Sequence, residues 1–374
     1  MGRRGPSIPR AKAPRDGRVR ARRGPVGELE KCRELLLSVP KTEIHIHLEG
    51  LASVDTVWTL IQKNKISIPD VGSEEDIRRK FRVKSLQEFI DLFLNVIQNA
   101  FREVDDVRLL ISDAQSYLKR NNIVYAEIHF APSMFLKNGL SFAELMAVLD
   151  TGAGELRRQG LEVRFIIDVS RTFGVRNAMK NLDLTLDHRI PSIVGIGLGG
   201  QESIGPARDF VSVFDKARGE GLHVVAHAGE AVGPESVRDA VELLGAERIG
   251  HGVSAILDPS VMDLLKERRI PLEVCPSSNL FTAHYASTLR NHPIGAFFER
   301  GLFVTVNTDD PTIFGVDLVD EYLGLVGEGV FDVEQTLRLL YNGVYATFLP
   351  REEQDRLWRD ARLAIEARGL TAPS

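Results

Sequence analysis

From about residue 28 the chain alternates between short β-rich runs and helical patterns, and this rhythm restricts the fold more than any other feature. The runs read as parallel strands are Glu43–Leu48, Ile123–Ala131, Val163–Ser170, Ile193–Gly199, His223–Ala228, Arg248–Gly250, Pro271–Cys275 and Phe303–Asn307. Several are near-continuous apolar segments, as expected of strands covered on both faces. Helical patterns fall between them, among them Ser141–Arg158, Pro206–Glu220, Ser236–Leu244, Ser260–Arg268 and His292–Arg300. Eight strands alternating with helices predict an α/β fold, a closed (β/α)8 TIM-type barrel, with an open doubly wound sheet as the alternative.

The rhythm breaks once. More than seventy residues separate the first two strands, with amphipathic stretches near Asp55–Lys63, Ser85–Ile97 and Val104–Lys119. This is too long for one crossover helix and reads as a helical insertion after strand 1. It leaves the barrel on the face where active sites are built, so it is expected to form a lid or pocket wall, or to add core packing. Beyond Asp310, Val333–Tyr345 and Glu352–Arg368 read as helices closing the barrel exterior.

Residues 1–25 carry nine basic side chains against one acid, Asp16, while the rest of the chain holds 38 basic and 51 acidic residues, a net charge of −13. Residues 1–27 therefore read as a disordered basic extension and 28–374 as a single domain. An acidic body excludes nucleic acid as the main partner, since phosphate neutralisation needs an organised basic face. No apolar run approaches the roughly 20 residues of a membrane span. Two cysteines, Cys32 and Cys275, cannot build a disulfide framework and suggest a reducing, cytoplasmic setting. Nothing in the sequence specifies an oligomeric state.

Titratable residues gather at the expected carboxyl ends of strands. His45 and His47 alternate along the first strand and so point the same way. His227 ends the fifth in Ala226-His227-Ala228-Gly229-Glu230, His251 follows the sixth between two glycines, and Asp309-Asp310 follow the eighth. Singly, each has an ordinary explanation: a core His pair, a turn, an Asp capping a helix. Four strand ends carrying ligands together point to a mononuclear metal site. Imidazole-rich ligation suits zinc, though iron or cobalt could substitute. His-Glu-x-x-His and Pro-Cys-x-x-Cys are both absent. The fourth strand carries no lysine that could bridge two metals. His129, His188, His223, His284 and His292 are expected to be structural.

Together these residues resemble the adenosine deaminase family of the amidohydrolase superfamily. The matching motifs are Pro40-Lys41-Thr42-Glu43-Ile44-His45-Ile46-His47-Leu48-Glu49-Gly50, Gly197-Leu198-Gly199-Gly200-Gln201-Glu202, His227-Ala228-Gly229-Glu230, Gly250-His251-Gly252, Cys275-Pro276-Ser277-Ser278-Asn279 and Thr305-Val306-Asn307-Thr308-Asp309-Asp310-Pro311. They stand in family order and span roughly residues 38 to 350. The resemblance implies one Zn2+ per subunit, held by His45, His47, His227 and Asp309, and a water activated for attack at C6 of a purine. It implies that His251 orients this water and assists its deprotonation, and that a protonated Glu230 donates to N1. Asp310 would bond N7, the Gly200 N–H would meet N3, and His47 and Glu49 would lie on the ribose side.

The departures concern substrate. The family acid after the metal histidines is commonly Asp; here it is Glu49. Asp-Leu-Ala-Gly-Asp-Glu is common where this chain reads Gly197 to Glu202, and arginine is common where His129 stands. The Asp-Ser-Ser-Glu typical of adenine deaminases is absent. The expected reaction is hydrolytic deamination of adenosine or 2′-deoxyadenosine, with a small purine nucleoside as partner. The alternatives are the same chemistry on aminodeoxyfutalosine, a 5′-modified adenosine or adenine, and a non-catalytic nucleoside- or protein-binding barrel.

Overall fold

The computed structural model describes residues 26–83 and 86–374. Eight strands, β1 (Lys41–His47), β2 (Ile123–Phe130), β3 (Glu162–Ser170), β4 (Ile193–Gly199), β5 (His223–Ala228), β6 (Arg248–His251), β7 (Leu272–Val274) and β8 (Val304–Val306), lie side by side in chain order. Every neighbouring pair is parallel. Helices return the chain from each strand to the next, giving the (β/α)8 TIM-type barrel that the alternation predicts. The basic stretch 1–25 lies outside the described residues, and Val26 opens the helix Val26–Ser38.

Some of the helices around the barrel begin where a side chain supplies a cap. Ser141 accepts the Glu144 N–H at the start of Phe142–Arg158, whose last turn carries Arg157 and Arg158 against the helix dipole. Asp332 and Gln335 form a reciprocal capping box before Val333–Tyr345.

The ring closes between β8 and β1 through one bridge, Ile46 to Asp309. The His47 N–H donates to Asp309 O at 2.9 Å, and the Asp309 N–H donates to His45 O at 3.1 Å. Side chains complete the seam. The Ile44 N–H donates to Asn307 Oδ1 at 3.1 Å, and the Thr308 N–H donates to Glu43 Oε1 at 2.9 Å. Tyr117 donates its hydroxyl to Glu43 Oε2 at 2.8 Å. Burial raises the Glu43 carboxyl to about 7 in spite of these donors.

The barrel interior carries charge where many barrels carry layers of branched aliphatics. Arg248 of β6 reaches Glu127 of β2 at 2.6 Å and Glu273 of β7 at 2.5 Å. Because β2 and β6 are not neighbours, the first contact crosses the interior. Arg248 also donates to Ala346 O at 2.9 Å, and its guanidinium lies 3.7 Å from the Phe348 ring centre.

The insertion after β1 folds into the helices Val54–Lys63, Glu74–Lys80, Leu86–Asp91 and Val107–Arg120, with a wider π-type turn at Leu92–Ile97. Phe89 stacks on Phe314 at 5.6 Å and meets Phe93 at 5.8 Å and Phe281 at 6.2 Å. The insertion therefore rests on the loops that follow β7 and β8. A cavity of about 410 Å³ opens there between Phe81, Arg82, Phe281, Thr312 and Phe314. Among the described residues, no helix is long and apolar enough to cross a membrane.

Replacing Arg248 by Met would leave Glu127 and Glu273 buried without their cation. The expected loss of stability is about 3–5 kcal/mol, measured as a lower urea midpoint. A midpoint shifted by less than a quarter of that would show the charges to be solvated in some other way.

Candidate active site

His45 and His47 from β1, His227 from β5, His251 from β6 and Asp309 after β8 converge at the carboxyl end of the barrel. Ligand atoms of His45, His227, His251 and Asp309 lie within 4.8 Å of one another. His47 Nε2 stands 3.2 Å from His227 Nε2 and 3.1 Å from Asp309 Oδ1, and His45 Nε2 stands 3.5 Å from the same oxygen. The donors expected to hold a metal are thus brought together, with His251 among them. In a tetrahedral site with bonds of about 2.0–2.2 Å, neighbouring donors stand roughly 3.3 Å apart. The observed edges match, and the buried His45 Nε2 has no hydrogen-bond partner of its own. The residues fit a zinc-sized ion.

Two of these residues hold uncommon backbone conformations, His251 at φ 62° and Asp309 at φ 68°. A non-glycine residue in this left-handed region carries about 1–3 kcal/mol of strain, which the surrounding structure must outweigh. The pair Asp309-Asp310 does not act as a helix cap, since Asp310 makes no capping bond to the helix Pro311–Phe314.

The electrostatics separate the groups by role. Burial opposes charge on His45 and His47, but Asp309 outweighs it, with Glu273 assisting at His45, so the imidazoles rise to about 9 and about 10. Burial also works against the Asp309 carboxylate, yet His45 and His47 hold it well below its usual range. His45, His47 and Asp309 thus attract positive charge between them, while burial and the neighbouring imidazoles hold His227 well below its usual range. Glu230 behaves oppositely: burial first, then the negative charges of Asp309 and Glu202, push its carboxyl up to about 8. Asp310 rises to about 8 through burial and its neighbour Asp309, and burial lifts Glu49 to about 7. Burial depresses His251 to about 3, leaving a neutral imidazole.

Neighbouring polar groups hold these side chains. Glu202 accepts the backbone N–H groups of Gly229 at 2.5 Å, Glu230 at 3.1 Å and Ala231 at 2.9 Å, which anchors the loop bearing Glu230. Ser278 donates to Asp309 Oδ2 at 2.7 Å. Glu49 accepts from the Ala131 N–H at 3.1 Å and from Gln98 of the insertion at 3.3 Å. Gly200 follows β4, exposed at φ 89°, where a Cβ would stand 2.7 Å from Ser170 Oγ and 2.8 Å from Thr172 Oγ1.

Sequence reasoning missed four residues. Glu273 bonds His45 Nδ1 at 2.7 Å and so turns Nε2 toward the cluster. Burial would raise its carboxyl, but Arg248 and His45 hold it at about 2. Its signal was an acid inside the apolar run Leu272-Glu273-Val274, where an unpaired charge is rarely tolerated. His129, expected to be structural, lies 5.0 Å from the His45 ring and 5.1 Å from that of His47. Asp168 bonds His129 Nδ1 at 2.9 Å and stands 3.5 Å from His47 Nδ1. Gly197 makes room for this carboxylate, because a Cβ there would overlap Asp168 Oδ1 and stand 3.2 Å from His129 Nδ1. The two unusual positions, 129 and 197, thus meet at one acid. Of the remaining histidines, His223 pairs with Glu247 at 2.9 Å on the outside, His188 and His284 are exposed, and His292 is buried.

The barrel and its strand-end cluster suit a metal-dependent hydrolase, and comparison with known proteins places it among the hydrolytic deaminases of adenosine-like substrates. The chain belongs to the adenosine deaminase family, whose profile matches residues 40–361. It is 37% identical over 333 residues to an aminodeoxyfutalosine deaminase of Streptomyces coelicolor, covering 86% of this chain and 83% of that protein. It is 35% identical over 326 residues to the adenosine deaminase of Salmonella typhimurium, covering 86% of this chain and 97% of that one. The crystal structure of an adenine deaminase from Arthrobacter aurescens superposes with a TM-score of 0.82 at 27% identity, over 88% of this chain and 99% of that chain.

Gly197→Ala should cost about 1–3 kcal/mol, since the added methyl must displace a buried carboxylate. Gly154→Ala, inside the helix Phe142–Arg158 where a Cβ meets only Arg158 Nη1 at 3.8 Å, should raise the melting temperature. Equal effects at the two positions would remove the packing argument at 197.

Proposed function

We propose that the protein is a zinc-dependent hydrolase that converts adenosine or 2′-deoxyadenosine to the inosine form with release of ammonia. The observation that carries this reading is Glu230, a carboxyl raised to about 8 beside a cation-drawing cluster. Purine C6 is a poor electrophile until N1 is protonated, so the reaction needs an acid that keeps its proton at neutral pH. Glu230 donates that proton to N1. Asp310, also protonated near neutrality, donates to N7, and the Gly200 N–H meets N3. His47 and Glu49 line the ribose side, while His251 orients the attacking water. His45, His47, His227 and Asp309 would hold zinc, which when bound would supply a Lewis acid that lowers the pKa of a water otherwise ionising only near about 16. The water oxygen bonds to C6 as one of its protons passes to the Glu230 carboxylate and the other to N6; the C6–N6 bond then breaks and ammonia leaves. The proposed setting is the cytoplasm, where the buried, unpaired Cys32 and Cys275 stay reduced.

A second reading keeps the chemistry and changes the substrate to a 5′-extended nucleoside such as aminodeoxyfutalosine. It is favoured by the Streptomyces relative, an aminodeoxyfutalosine deaminase 37% identical to this chain. An ultraviolet assay against adenosine, 2′-deoxyadenosine, adenine, 5′-methylthioadenosine and aminodeoxyfutalosine separates the two, because exchange of the 6-amino group for oxygen shifts the purine absorbance. Preference for adenosine or its deoxy form is expected. Turnover confined to aminodeoxyfutalosine would replace the first reading with the second.

Glu230→Gln keeps the shape and loses the proton, so kcat should fall by at least about 100-fold with metal content unchanged. A near-normal rate would remove the acid from the mechanism. Asp309→Ala should lower bound metal, measured by elemental analysis, together with activity. In the wild type, the Glu230 proton is present below about pH 8 and is lost as pH rises through that value. The profile of kcat/KM should therefore decline on its alkaline side near pH 8.

A further inference from the structure

His251 is buried, and the hydrogen bonds behind it leave it a single arrangement of its proton. The Ile294 N–H donates to His292 Nδ1 at 3.1 Å. A backbone amide can only donate, so Nδ1 is the unprotonated nitrogen and a neutral His292 carries its proton on Nε2. Burial keeps His292 neutral, depressing it to about 4. Its Nε2–H therefore donates to Asn279 Oδ1 at 3.3 Å, which fixes the amide orientation. The other end of that amide, Nδ2, stands 3.1 Å from His251 Nδ1 and can only donate to it. His251 Nδ1 is thus an acceptor, and the ring proton sits on Nε2. That nitrogen faces the reacting side, 3.6 Å from Glu230 Oε2 and 4.0 Å from Asp309 Oδ2. His251, Asn279 and His292 are each at least 96% buried, so bulk water does not reset the chain.

We infer that Asn279 and His292 are positioning residues: they lock His251 in the Nε2–H tautomer, so that it enters the reaction as a hydrogen-bond donor to the attacking oxygen and not as the acceptor of its proton. This deepens the proposed deaminase reading and rests on it. It also assigns work to two residues outside the ligand and acid set. A helix start more than forty residues away in sequence thereby sets the polarity of one atom at the reacting centre. The inference narrows His251 to orienting the water, with no part in its deprotonation.

Asn279→Asp tests it. A carboxylate still accepts from His292 Nε2–H, but it cannot donate to His251, whose proton must then move to Nδ1. Loss of one such donor at a reacting oxygen typically costs about 100- to 1,000-fold in kcat, and that loss is expected here with KM within about threefold and metal content unchanged. His292→Phe, which frees the amide to rotate, should give a smaller loss in kcat of the same kind. The tautomer is read directly from the nitrogen-15 shifts of histidine-labelled, metal-loaded wild-type protein, the His251 signals being identified by their disappearance in His251→Ala. Proton on Nε2 in the wild type and on Nδ1 in Asn279→Asp is the expected result. Proton on Nδ1 in the wild type, or Asn279→Asp with kcat within threefold of normal, would overturn the inference, and the wild-type spectrum decides even if the variant does not fold. Absence of any purine deamination by the wild type would instead overturn the deaminase reading, leaving the spectrum to judge the tautomer by itself.

Discussion

The contact on which the rest depends is the bridge between Ile46 and Asp309. It pairs residues more than 260 positions apart and turns an eight-stranded sheet into a ring. The carbonyl and amide groups that make it belong to His45, His47 and Asp309, whose side chains form the cluster inside. Closing the barrel and assembling the site are therefore one event. The seam is a thin one, a single bridge reinforced by Glu43, Asn307 and Tyr117, in place of a full ladder. A bound cation would tie its two sides together from within, and binding to the folded state alone stabilises that state by mass action.

A second theme is the pairing of charge across the interior. Glu273 lies between Arg248 and His45, and Asp168 lies between His129 and His47. In each case a carboxylate bonded on its far side presents itself to the outward nitrogen of a site imidazole. Such groups fix which ring nitrogen faces inward and raise its basicity. Burying this many charges is costly unless each is matched, which accounts for the small room left for substitution at Gly197.

Much of this was legible in the sequence. The alternation of apolar runs with helical patterns reports the barrel because strands covered on both faces are largely apolar, and the run boundaries agree with the strands to within a few residues. The strand-end residues were legible because His45, His47 and His227 interrupt largely apolar segments, and Asp309 stands just beyond the last such run. The supporting groups were not. Glu273, Asp168, His129 and His292 act through partners on other strands and helices, and no local spacing encodes a contact made across the barrel. His292 illustrates the loss: in sequence it is a residue before Pro293, and only packing brings it to Asn279.

The aromatic contacts of Phe89 set a scale for how readily the pocket wall could swing away. Its rings meet Phe93, Phe281 and Phe314, and each such contact adds about 0.5–1.5 kcal/mol beyond the area it covers. Breaking the two that tie Phe89 to the loops after β7 and β8 costs roughly 1–3 kcal/mol from this source, which corresponds to an open population of about 1–15% before any further contact is counted. Leu92, Val96, Ile97 and Phe101 of the insertion are also buried in the core, so the rings set only part of the cost of moving the wall. Substitution at any of these four rings would therefore act on the loops after β7 and β8 as well as on the insertion itself.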